Sequence, residues 1–452
     1  MTRGEEMNCN DFYVEMLERG INNERRNLLR ANSKLAEITF SGWIGIGKTT
    51  AVQAYCKKHS ESLYFSFANT EYNLALKLFA KKYPTIFSDP KDWDEFFTQL
   101  HAHATKNLCT VFFDSHCKSN PEIHAAIMKH FYGNSHRAVF VFIEDDYGNR
   151  NFTPLHLGEI KKLFPKLTNE ELVCIHAVTG GIASLVTLYD PTLSFEINLK
   201  RFLQLDSYFR HLAERIIKEY FRAPESYNTL LYGISTGKRR VSELSAFSGY
   251  PNNKCDKYLK SLISHGIVMH MNAQGKQPAH YAITNDYLSF WYRFVFPQMD
   301  FRDEDVFQSM MQYIRTVLVK RAFRRECEYW LSNNVRAYRY MHGDFYAEKD
   351  RRYKNVRLEQ VAFDLVSEDF GDFVYVKYFD TIGTHCTKAD WDEIERVTAN
   401  FSKNNTYILF SIHRFSDYCW KMSASHDNLR LVQPTAFLPC YDFQDHYRIE
   451  AD

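Results

Sequence analysis

Three short apolar runs punctuate the first third of the chain, and each is followed by small or charged residues. Leu35 to Phe40 is apolar and β-branched, which predicts a short strand, and Thr49 to Lys58, free of Gly and Pro, predicts a helix. Cys109-Thr110-Val111-Phe112-Phe113 and Ala138-Val139-Phe140-Val141-Phe142-Ile143 lack polar alternation, the pattern of central strands covered on both faces. Asp114 closes the first of these two runs and Glu144-Asp145-Asp146 closes the second.

From about Lys200 the periodicity becomes helical. Apolar positions predict helices over 226–235, 241–247 and 253–264, with Gly249 and Pro251 marking the turn before the third. Gly266-Ile267-Val268 then opens a hairpin with its tip at 272–277 and Tyr281-Ala282-Ile283 on the return. Three helices followed by a hairpin is the order of a winged helix-turn-helix. On the third helix Leu259, Leu262 and Ile263 share an apolar face, and Lys254, Lys257 and Lys260 fall on the other side. Together with Lys238, Arg239 and Arg240 they are candidates for DNA backbone contact; the alternative is a solvated face on a module that meets protein.

Composition narrows the field. With 452 residues, two or three domains are expected, and 45% hydrophobic with 25% charged residues is the mix of a globular protein. A net charge of +1 assigns any nucleic-acid contact to a local patch. The ten cysteines have no CxxC pairing or Cys/His spacing for zinc, so they read as reduced thiols. Without a signal-like start or an apolar run near ~20 residues, a cytoplasmic protein away from membranes is expected.

The candidate chemistry lies between the first strand and the first helix. Gly42-Trp43-Ile44-Gly45-Ile46-Gly47-Lys48-Thr49 matches G-x-x-x-x-G-K-[ST] at every fixed position, and Thr50 follows in the helix's first turn. Glycines let backbone N–H groups turn inward around phosphates, and the helix N-terminus adds its positive end. Lys48 would reach the β- and γ-phosphates of ATP, Thr49 would ligate Mg²⁺, and Asp114 is the natural second carboxylate of that metal site. Ser115 follows Asp114 where many such ATPases carry a Glu that polarises water, and serine is no base at neutral pH. His116 is a substitute candidate, and Arg150 a candidate for the γ-phosphate in cis or across a subunit boundary.

These features resemble the archaeal-type ATPases of the STAND branch of AAA+ proteins. The resemblance rests on the phosphate loop, the strand ending in Asp114, "HAVTGGIASLVTLYDP" from His176, and "YAITNDYLSFWYRFVFP" from Tyr281 to Pro297. Ala183 stands where that family's Gly-Gly-x-Pro turn has proline. It implies an α/β P-loop NTPase domain with a parallel sheet over 1–200, a winged-helix domain over 201–298 and a smaller α/β restriction-endonuclease-like domain over 299–452. ATP and Mg²⁺ are the implied cofactors; DNA, a protein partner and self-association are candidate interactions. In the last domain the resemblance assigns Glu326, Glu359 on a strand and Lys377 to a nuclease site. Tyr375, however, occupies the position of the second acid, and tyrosine cannot replace a carboxylate on a hard metal. A degenerate site with little or no cleavage is expected, the alternative being an active Mg²⁺-dependent nuclease in which Asp364 lends a neighbouring carboxylate.

Overall fold

The computed structural model describes residues 9–30, 35–67, 70–114, 121–144, 152–271, 280–335, 351–369, 372–399 and 404–438. Two compact units separate: one holds the chain up to Thr153 together with Ser261–Gly266, the other Pro154–Lys260 and the chain from Ile267.

The first unit is a parallel sheet between helices. In chain order it runs α1 (Cys9–Arg30), β1 (Glu37–Ser41), α2 (Lys48–Lys58), β2 (Ser62–Ser66), α3 (Tyr72–Lys82), α4 (Trp93–Lys106), β3 (Cys109–Asp114), α5 (Pro121–Phe131) and β4 (Ala138–Glu144). The four strands are all parallel in the order β1-β4-β3-β2, so β4 lies between the strand that feeds the phosphate loop and the strand that ends in Asp114. Every residue of β3 is buried, as is β4 up to Ile143, which is why both read as unbroken apolar runs. Phe65, Phe96, Phe97, Phe113, Phe131 and Phe140 form the core on one face. Burial of each such ring stabilises the fold by about 1.5–3 kcal/mol. Asp92 caps α4 by accepting from the Glu95 N–H at 2.8 Å.

Helices Pro224–Ser235, Val241–Ser248 and Asn252–Ser264 are followed by the antiparallel pair β5 (Val268–Met271) and β6 (His280–Ile283), with Val268 opposite Ile283, and all but Ser261–Ser264 of these residues belong to the second unit. The expected hairpin tip lies outside the described residues. The aromatic stretch forms an α-helix over Asp286–Phe290 that widens into a π-turn over Trp291–Val295. Its rings are interior packing: Tyr287 donates to the Phe209 carbonyl, Trp291 Nε1 to the Arg210 carbonyl and Tyr292 to Asn228 Oδ1, each at 2.7 Å. A buried ring with its polar tip satisfied is a stable core element.

The C-terminal sheet contains β7 (Arg351–Leu358), β8 (Val361–Asp369), β9 (Asp372–Phe379), β10 (Asn404–Ser411) and β11 (Leu429–Val432) in the order β11-β10-β9-β8-β7. Pairing is antiparallel from β7 to β9 and parallel from β9 to β11. No helix among the described residues is long and apolar enough to cross a membrane.

Candidate nucleotide site

The loop between β1 and α2 is shaped by its glycines. Gly45 and Gly47 hold φ values of 82° and 104°, a left-handed backbone that residues with a side chain seldom adopt. Gly42 is required for another reason: a Cβ there would stand 2.7 Å from the Phe152 carbonyl oxygen. The Phe152 N–H donates to the Ser41 carbonyl at 2.9 Å, which fixes that close approach. Lys48 is buried, and its Nζ donates to the carbonyls of Gly42 at 2.6 Å and Trp43 at 2.8 Å, so the ammonium lies folded against its own loop. Thr49 and Thr50 are exposed in the first turn of α2.

Thr49 Oγ1 donates to Asp114 Oδ2 at 2.9 Å across 65 residues of sequence. Asp114 is buried at the C-terminal end of β3. The same Oδ2 accepts from the Tyr64 hydroxyl at 2.6 Å. Burial, then the Asp114 charge, raise the pKa of this phenol and keep it a donor. No motif pointed to Tyr64; the only signal was its place in the alternating strand Ser62–Ser66, one strand from Asp114. A hydroxyl and a carboxylate meeting beside a glycine loop are hard oxygen donors of the kind Mg²⁺ takes, and the adjacent ammonium suits phosphate oxygens, so the residues present fit ATP with Mg²⁺. Ser115, His116 and Arg150 lie outside the described residues.

The residues expected for a nuclease have other partners. Glu326 is buried, with its carboxylate 3.0 and 3.1 Å from His156 Nδ1, and it accepts from the Leu157 N–H at 3.2 Å. Burial alone would raise its pKa, but the charge and hydrogen bond of His156, with the His176 charge and the Leu157 N–H, together hold it below the usual value. Glu359 is not on a strand. It occupies the turn between β7 and β8 with φ 51° and pairs with Arg396 at 2.5 Å. Leu358-Glu359-Gln360-Val361 contains neither Gly nor Pro to signal this turn. Lys377 Nζ donates to the Ala362 carbonyl at 2.6 Å. Asp364 accepts from the Tyr378 N–H at 2.7 Å and faces Arg324 at 3.1 Å. Tyr375 is a core residue among Phe363, Phe373 and Tyr407, with its pKa pushed up to about 12 by burial.

Lys238, Arg239, Arg240, Lys257 and Lys260 are exposed. Lys254 lies over the Tyr250 ring, its Nζ 3.8 Å from the centroid, and Lys260 pairs with Asp256 at 2.8 Å. Two of the three lysines on helix Asn252–Ser264 therefore have local partners.

No family model matches this chain. An uncharacterised protein of Methanocaldococcus jannaschii is 23% identical over 286 residues, which cover 58% of this chain and 64% of that protein. The match thus spans less than two thirds of that relative's length. Among solved structures, a Walker-type ATPase of Pyrococcus abyssi is similar at a TM-score of 0.43 and 14% identity, covering 60% of this chain and 94% of that one. The Aeropyrum pernix ORC2 protein, solved as ADPNP and ADP complexes, is similar at a TM-score of 0.39 and 14% identity, covering 65% of this chain and 93% of that one.

Proposed function

We propose that this chain is an ATP-binding switch of the P-loop class, in which nucleotide held by Lys48, Thr49 and Asp114 governs the exposure of a winged-helix module to DNA or protein. The observation that carries this reading is the convergence of Thr49 Oγ1 and Asp114 Oδ2 at 2.9 Å beside the glycine loop that holds Lys48. When bound, Mg²⁺-ATP supplies a phosphate chain whose charge the site must neutralise. Lys48, with the loop N–H groups at Gly45 and Gly47, would hold the phosphate oxygens, and Thr49 and Asp114 would hold the metal.

In this reading the chain has three working parts, over 1–200, 201–298 and 299–452. Ser115 directly after Asp114 favours slow hydrolysis or none. The exposed cations Lys238, Arg239, Arg240, Lys257 and Lys260, with Lys254, form the candidate DNA surface. The third part works without cleavage, because Tyr375 is committed to core packing where a nuclease needs an acid.

The deciding experiment is ATP binding by calorimetry to the full chain and to Lys48→Ala. Loss of detectable binding in the variant is expected. Unchanged affinity would refute the assignment of the loop.

A further inference from the structure

Asp114 is held by a second hydroxyl that the phosphate-loop motif does not require. Tyr64 sits on β2, one of the two outer strands of the parallel sheet, paired with Phe112 and not with Asp114 itself. Its ring therefore reaches along the sheet toward the C-terminal end of β3, where the hydroxyl meets Asp114 Oδ2 at 2.6 Å.

An edge strand ordinarily leaves its outward backbone groups to water. At Tyr64 they are tied down: the N–H donates to the Tyr83 hydroxyl at 2.8 Å, and the carbonyl accepts from Lys82 Nζ at 2.7 Å. The same ammonium stands 4.9 Å from the centroid of the Tyr64 ring. Ring and backbone are thus both restrained, and the two side-chain torsions of a tyrosine leave the hydroxyl little freedom once they are set.

Thr49 has one hydroxyl proton, and it points at Asp114 Oδ2. Its lone pairs are thereby left directed away from Asp114, as a metal ligand needs them to be. That orientation depends on where Oδ2 stands, and Tyr64 is the second donor to this oxygen. We propose that Tyr64 is a positioning residue for Mg²⁺, acting through Asp114 on Thr49. This makes the magnesium dependence of nucleotide binding a property of β2 as well as of the phosphate loop. The proposal rests on the nucleotide reading above. A rigid chain of donors lowers the reorganisation required when the metal arrives.

The test is the ATP dissociation constant of the full chain in excess Mg²⁺ and in EDTA, for the wild type and Tyr64→Phe. Phenylalanine keeps the ring, its packing and both backbone contacts. Affinity in EDTA should be unchanged, and the gain conferred by Mg²⁺ should shrink about tenfold, the equivalent of one hydrogen bond to a carboxylate. An unchanged gain overturns the proposal, and so does an equal loss with and without metal, which would mark Tyr64 as structural only. If the wild type itself shows no Mg²⁺-dependent ATP binding, the nucleotide reading falls and this proposal with it.

Discussion

Replacing Glu326 with Gln separates a structural carboxylate from a metal-binding one. Glu326 takes hydrogen bonds from His156 Nδ1 and the Leu157 N–H in a place where both side chains are under a tenth exposed, and His176 Nε2 stands 3.7 Å away. Breaking a buried pair of this kind costs about 3–5 kcal/mol. Glutamine keeps one carbonyl oxygen and the same volume, so the low end, about 3 kcal/mol, is expected. For a unit of this size, that corresponds to a fall of about 5 °C in the midpoint of its melting transition.

The pH dependence carries a sign. Burial alone would lower the pKa of His156, but the Glu326 carboxylate outweighs it and raises the value above 6.5. The stability His156 contributes is therefore fully present below 6.5 and is lost as pH rises through the raised value. Glu326 is lowered from 4.5, so its own contribution is present above 4.5 and is lost only as pH falls through the lowered value. His176 runs the other way from His156. Burial lowers it, so the neutral ring loses stability as pH falls below 6.5. Scanning calorimetry from pH 5 to 9 should show an alkaline decline in the wild type that Glu326→Gln lacks. A variant melting within a degree of the wild type would refute the structural role and return Glu326 to the nuclease reading.

Two further substitutions test the loop and the basic face. Gly42→Ala places a methyl group 2.7 Å from the Phe152 carbonyl and should cost about 1–3 kcal/mol in chemical unfolding. An unaltered denaturation midpoint would show that the neighbouring chain yields freely. Changing Lys254, Lys257 and Lys260 together to Ala should reduce the slope of log affinity for duplex DNA against log salt by about 2–3. If the wild type does not shift labelled duplex at low salt, the winged-helix candidate meets protein instead.

What could be read from the chain follows the range of the interactions involved. Strands β3 and β4 and the phosphate loop were legible because burial on both faces and a fixed glycine spacing leave local marks. Helices Val241–Ser248 and Asn252–Ser264 came within a residue of their expected bounds because Gly249 and Pro251 punctuate them. Tyr64 and Asp114 are 50 residues apart, and His156 and Glu326 are 170 apart. A lone polar residue does not say which distant group will satisfy it, so Glu326 looked like a candidate ligand and Tyr64 carried no mark at all. Glu359 misled for a local reason: its positive φ is one that a non-glycine sequence does not announce.

The strand order also sets when the nucleotide site can exist during synthesis. After α1, β1, the phosphate loop and α2 emerge, and β3 brings Asp114 65 residues after Thr49. Yet β1 and β3 are not neighbours; β4 separates them, and it is the last strand of the sheet to be made. Until Ala138–Glu144 has left the ribosome and inserted between its two partners, the spacing of β1 and β3 across the sheet is not set. On the proposed reading, nucleotide would stabilise this unit fully only once the central strand closes the sheet.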